Sequence, residues 1–135
     1  MLKDIALEYA LKDYNCAESV VLAANDYYNL GIDPKDVRLL SGFGAGMQCG
    51  DICGGLAGAI ASLTMRHVEV KAHEDKPGLR NKVNKLIRNF EAEAGSRQCK
   101  DIKPKYYNPE TKCQKTIMMA ASVMEKTIEE IDKEL

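Results

Sequence analysis

Four of the chain's 5 cysteines, Cys16, Cys53, Cys99 and Cys113, fall where a helix is predicted to start. At a helix start the first backbone N–H groups lack an intrahelical partner and together carry roughly half a positive charge, which favours an anion. The thiolate is the form of cysteine that attacks disulfides and peroxides and binds metals, so this placement suits a redox or ligating thiol. Cys49 lies ahead of the cap expected for its helix and reads as a dispensable thiol or an exposed resolving partner. The alternative for all of these thiols is packing, because free cysteine is among the most buried residue types.

At 135 residues and 45% hydrophobic, the chain can bury one core, and a single domain over 1–135 is expected. Its 19 Lys and Arg against 20 Asp and Glu leave a net charge of −1, which provides no overall field for nucleic acid or an anionic membrane. The first residues, Met1 to Glu8, carry charges where a secretory signal needs an unbroken apolar stretch, so a cytoplasmic location is expected. In that reducing setting an odd number of cysteines argues for transient redox bonds, metal ligation or buried thiols over a static disulfide framework.

The elements that must position the thiols are helical. Apolar residues recur with helical spacing over nearly the whole length and no stretch alternates like a strand, which predicts an all-α bundle of about five to six helices. A first helix runs from about Leu2 to Lys12. Asn15 then reads as the cap of a second, with Glu18 completing a capping box and Cys16, Val20, Ala24 and Tyr27 on one face until Gly31. Asp33-Pro34 opens a short third helix ending near Leu40. The glycines at 42, 44 and 46 suggest a flexible connection, and Asp51 is the expected cap of the fourth helix, putting Cys53 in its first turn.

From Ile52 to Met65 there is no charged residue, a run shorter than the ~20 needed to span a bilayer, so this is expected to be a central Gly/Ala-rich buried helix. Gly54, Gly58 and Ser62 form a seam of small residues that lets another backbone approach closely. A polar hinge from Glu69 to Pro77 leads to a fifth helix with Leu79, Val83, Leu86, Ile87, Phe90 and Ala94 inward, ended by Gly95. Ser96 caps a short turn containing Cys99 and reaching about Ile102, Pro104 to Pro109 is a loop, and the last helix runs from Pro109. There Ile117, Ala121, Met124, Ile128, Ile131 and Leu135 keep heptad spacing, suited to bundle packing or to a homodimer face.

If the main helices alternate in direction, the second, fourth and sixth start at one end of the bundle and bring Cys16, Cys53 and Cys113 together. The turn with Cys99 precedes the last helix and can return to the same end. Convergence of the four thiols is therefore expected.

The segment from Gly46 to Ile60, Gly-Met-Gln-Cys-Gly-Asp-Ile-Cys-Gly-Gly-Leu-Ala-Gly-Ala-Ile, resembles the central motif Cys-Gly-Ala-x-x-Gly of a redox-protein family catalogued by its cysteine pattern as C_GCAxxG_C_C. Cys53, Gly54 and Gly58 match, with Gly55 at the usual alanine. Tyr14-Asn15-Cys16-Ala17-Glu18 is similar to the family's first cysteine segment, and Gly95-Ser96-Arg97-Gln98-Cys99 and Cys113 to its third and fourth. The resemblance covers almost the entire chain and selects the same four thiols while omitting Cys49. Family members stand beside transporter or oxidoreductase genes, and some carry selenocysteine, which favours chemistry over packing.

Sharper cofactor motifs are absent. There is no Cys-x-x-Cys pair, no radical iron–sulfur signature and no ferredoxin run, although distant thiolates could still join around zinc, copper(I) or an iron–sulfur cluster. The glycines at 42, 44 and 46 have neither dinucleotide-loop nor P-loop spacing. His67 and His73 are weak candidates for ligands or proton donors, with surface positions the default. Between Lys71 and Lys105 stand 10 basic and 5 acidic residues, a face for an acidic redox partner protein or simply a solvated helix. The absence of aromatic residues among the lysines of the fifth helix argues against nucleic acid. Tyr106 and Tyr107 cover the core or bind a ligand.

The reading these residues favour is thiol–disulfide exchange in which Cys53 attacks a substrate and another of the four resolves the mixed disulfide. A metal or iron–sulfur module built on the same four cysteines, and a helical adaptor with structural cysteines, are the alternatives.

Overall fold

A computed structural model describes residues 1–74 and 78–134. Six α-helices occur among them: α1 (Leu2–Leu11), α2 (Cys16–Tyr28), α3 (Gly54–His67), α4 (Gly78–Ala94), α5 (Cys99–Tyr106) and α6 (Gln114–Glu134). The described residues hold no strand, only two isolated antiparallel bridges, Ile52 with Gln98 and Asn108 with Lys112. None of the described helices is long and apolar enough to cross a membrane. The all-α architecture follows the periodicity. Pro77, the end of the expected hinge, and Leu135 of the heptad seam lie outside the described residues.

The start of α2 is the most tightly specified helix end. Asn15 Oδ1 accepts from the Glu18 N–H at 3.0 Å and Glu18 Oε1 accepts from the Asn15 N–H at 2.9 Å, so the expected capping box forms. Both residues also hold the segment that follows α2: Asn15 Nδ2 donates to the Ser41 carbonyl at 3.0 Å, and Ser41 Oγ donates to Glu18 Oε2 at 2.6 Å. The helix stops at Asn29, in the left-handed conformation, rather than at Gly31. Tyr27 is exposed, so Val20 and Ala24, not Tyr27, carry the inward face.

The third element is a 3-10 helix over Pro34–Phe43, capped by Asp33 as expected but longer than the sequence suggests. The glycine-rich connection is not loose: Ala45, Gly46, Met47 and Gln48 form a tight left-handed turn with φ of 51°, 62°, 61° and 63°. Asp51 does not cap α3. Its N–H donates to the Gly46 carbonyl at 2.8 Å and its own carbonyl accepts from the Cys99 N–H at 2.7 Å, so its backbone closes the turn and Cys53 becomes the cap residue.

Helix α3 packs closely on α2 through the small-residue seam. A Cβ at Gly58 would lie 2.7 Å from the Ala17 carbonyl oxygen and 3.2 Å from Val20 Cβ, and Ser62 turns its hydroxyl onto the Gly58 carbonyl at 2.8 Å. Gly58→Ala should therefore lower the thermal unfolding midpoint by several degrees. The helix-propensity gain of about 1 kcal/mol is outweighed by overpacking of about 1–3 kcal/mol against a backbone oxygen that cannot rotate away. A midpoint equal to or above the parent's would contradict this packing.

Helix α4 buries Leu86, Phe90 and Ala94, and α6 buries Ile117, Ala121, Met124, Ile128 and Ile131. The heptad seam is thus spent inside the chain, against a core to which all six helices contribute. Two corrections concern the C-terminal third. Helix α5 continues past Ile102 to Tyr106, because fully buried Ile102 and core-packed Tyr106 override Pro104. Helix α6 begins at Gln114, not Pro109: Asn108 Oδ1 accepts from the Glu110 and Thr111 N–H groups, and Lys112 turns left-handed at φ 53°, closing a compact turn.

Candidate functional site

The end of α1 and the starts of α2, α3, α5 and α6 surround a cavity of about 600 Å³, and Cys16, Cys53, Cys99 and Cys113 all line it. Each arrives by a different local device. Cys16 is the first residue of α2, set by the Asn15 cap. Cys113 immediately precedes α6, its carbonyl accepting the first-turn N–H of Ile117 at 2.9 Å. Cys53 and Cys99 are tied together by the Ile52–Gln98 bridge, in which the Cys53 N–H donates to the Arg97 carbonyl at 2.8 Å and the Cys99 N–H to the Asp51 carbonyl at 2.7 Å.

Two glycines make room for this convergence. A Cβ at Gly54 would clash with Cys16 Sγ and stand 2.6 Å from the Phe43 carbonyl oxygen, so the Cys16 sulfur packs against the first turn of α3 beside Cys53. At Gly46 a Cβ would meet both the Asp51 carbonyl oxygen and Cys99 Cβ at 2.6 Å. The left-handed turn is thereby pressed onto Cys99. Ala45, Met47 and Gln48 hold that conformation at a cost of about 1–2 kcal/mol each. Gln48 Nε2 offsets part of it by donating to the Gly44 carbonyl at 2.9 Å.

Cys49 is not brought to the cavity. It is exposed, with its sulfur 3.6 Å from the Gly46 carbonyl, on a separate pocket shared with Gln98 and Lys100. His67 is also remote from the thiols, its ring between the Leu63 carbonyl at 3.0 Å and Asp132 Oδ1 at 3.4 Å.

Burial reverses the electrostatic expectation for three thiols. Cys53 is 3% exposed, and loss of solvent pushes its pKa up to about 11. The Leu56 and Gly55 amides at the start of α3 oppose that rise, while negative charge on Cys16 and Cys99 adds to it. Cys99 and Cys113 are also raised, by burial first and then by Cys16, with Lys103 pulling both down. The amides of a helix start favour an anion only while water or a countercharge shares the load; in an apolar enclosure desolvation is the larger effect. Cys53 is therefore not the low-pKa nucleophile that its helix position suggests.

The same couplings give the cluster a centre, because charge on Cys16 raises each of the other three thiols. Alkylation of Cys53 in the folded, reduced protein should be slow at pH 8 and accelerate towards pH 11, since its neutral form is favoured below that value; mass spectrometry of peptides after timed alkylation checks this. A rate that levels off below pH 9 would show Cys53 to be solvated.

Lys103, which acts on Cys99 and Cys113, was not singled out by the sequence pattern. Its spacing of four residues from Cys99 was the available signal, since i and i+4 share a helix face. Among the described residues no three His, Cys, Asp or Glu side chains are placed to hold a metal ion together.

The chain is an all-α protein with four thiols on one cavity. A family model described as "Putative redox-active protein (C_GCAxxG_C_C)" matches residues 14–127, and the chain belongs to this family. Comparison with curated proteins and with solved structures gives no match.

Proposed function

We propose that this redox-family protein carries out thiol–disulfide exchange, with Cys16 as the attacking thiol and Cys53 as the resolving one. The observation that carries the reading is the single cavity lined by all four cysteines, in which Cys16 is half-buried at the start of α2 and electrostatically coupled to the other three. Cys53, almost fully buried and protonated at neutral pH, is suited to the second step, after substrate has been captured.

In the first step the Cys16 thiolate attacks one sulfur of a substrate disulfide, the substrate S–S bond breaks, and one substrate thiolate leaves and takes up a proton. Cys53 then gives up its proton and attacks the Cys16 sulfur, releasing the second substrate thiol and leaving a Cys16–Cys53 disulfide. Two electrons pass from the protein dithiol to the substrate. Gly54 favours this pairing, because it seats the Cys16 sulfur against the residue that follows Cys53.

The test is to purify the protein without oxygen, measure bound metal and the visible spectrum, and count thiols before and after a mild disulfide oxidant. The expected result is reversible loss of two thiols, mapped to Cys16 and Cys53 and restored by a dithiol reductant. Stoichiometric metal or a cluster absorption would replace this reading with the metal module, and four inert thiols would leave the adaptor.

A further inference from the structure

We infer that the cavity takes a small organic disulfide bearing an anionic group, rather than a disulfide held within a folded protein; this rests on the exchange reading above. Size is the first argument. About 600 Å³ lies within the range of pockets that enclose a small molecule, roughly 300–1,000 Å³. Access is the second: among the five cysteines only Cys49 is exposed, and it is not on the cavity, whereas a disulfide fixed in another protein's backbone needs an exposed partner.

Lining chemistry narrows the ligand. Leu11, Tyr14 and Tyr107 are exposed apolar side chains that also line the cavity, a rim suited to an apolar body. Thr111 also lines the same space, and its Oγ1 is buried with no hydrogen-bond partner among the described residues. Asp13, Glu110, Lys112 and Lys103 also line the space, and their formal charges cancel. Of these four, Lys103 is the one that acts on Cys99 and Cys113. Its ammonium lies 5.0 Å from the Tyr107 ring centroid, placing cation and aromatic surface together. A carboxylate on the substrate would meet that cation while its disulfide faces the cysteines.

The experiment compares two aromatic disulfides, the dicarboxylate dithiobis(nitrobenzoate) and uncharged dithiodipyridine, with insulin as a protein-disulfide probe. Reduced protein in a Cys49→Ser background is used so that the exposed thiol does not contribute, and each rate is normalised to that of the same probe with mercaptoethanol. The anionic-to-neutral rate ratio is expected to exceed unity, to fall about tenfold in Lys103→Gln, and to be retained in Lys103→Arg. A change confined to thiol ionisation moves both probes together and leaves the ratio unchanged. An unchanged ratio in Lys103→Gln, with both reactions still strongly slowed by Cys16→Ser, overturns the substrate class and leaves the exchange reading intact. Faster reduction of insulin than of either small probe also overturns it. Absence of reaction at any cavity thiol removes the exchange reading itself.

Discussion

Cys16→Ser is expected to slow exchange with a small disulfide on the order of 100-fold at pH 8, measured as the initial rate of substrate thiol release. The size follows from what remains. Cys53 has a pKa near 11 and is almost out of contact with solvent, and Cys99 and Cys113 are likewise raised by burial. None is a ready substitute. The variant should also shift its neighbours: removing the charge that Cys16 places on Cys53, Cys99 and Cys113 lowers all three pKa values, so their alkylation profiles should move to lower pH. Faster alkylation of the remaining thiols alongside slower exchange would be the signature of a lost hub. Exchange at the parent rate would assign the attack to another cysteine.

Gly54→Ala is expected to damage both stability and the site, unlike Gly58→Ala, which touches only the α2–α3 packing. The new methyl would clash with Cys16 Sγ and crowd the Phe43 carbonyl oxygen and Gly44 Cα, costing about 1–3 kcal/mol in denaturant unfolding. Because one of its three nearest contacts is the thiol itself, Cys16→Ala should recover part of that loss. The double-mutant cycle should then show a coupling on the order of 1 kcal/mol. Strict additivity would mean that Cys16 does not rest on Gly54. At Gly55, where the family pattern has alanine, a Cβ would stand 2.9 Å from Ala120 Cβ, so here glycine lets α6 come closer to α3.

Much of this architecture was legible because it depends on local rules. The Asn15–Glu18 box, the Asp33-Pro34 start and the Gly95 stop use side-chain caps and left-handed glycine, which act within a few residues. The inward stripes of α4 and α6 are plain from spacing, and the small-residue seam of α3 from composition. Failures cluster where distant segments meet. Asp51 reads as a cap in the sequence, but its backbone is taken by Gly46 and Cys99; Pro104 reads as a helix end, but buried Ile102 and core-packed Tyr106 hold the turn through it.

The sequence by itself determined which four cysteines stand at helix starts, that the fold is helical, and that the chain resembles the redox family whose model matches residues 14–127. It could not determine their ionisation, because a helix start and a buried enclosure act on a thiol in opposite directions and only the packed structure says which is larger. For Cys53, Cys99 and Cys113 burial prevails. Tertiary structure also decided that Cys16 acts on the other three thiols and that Cys49 stands apart from the cavity, since each depends on contacts between segments separated in sequence.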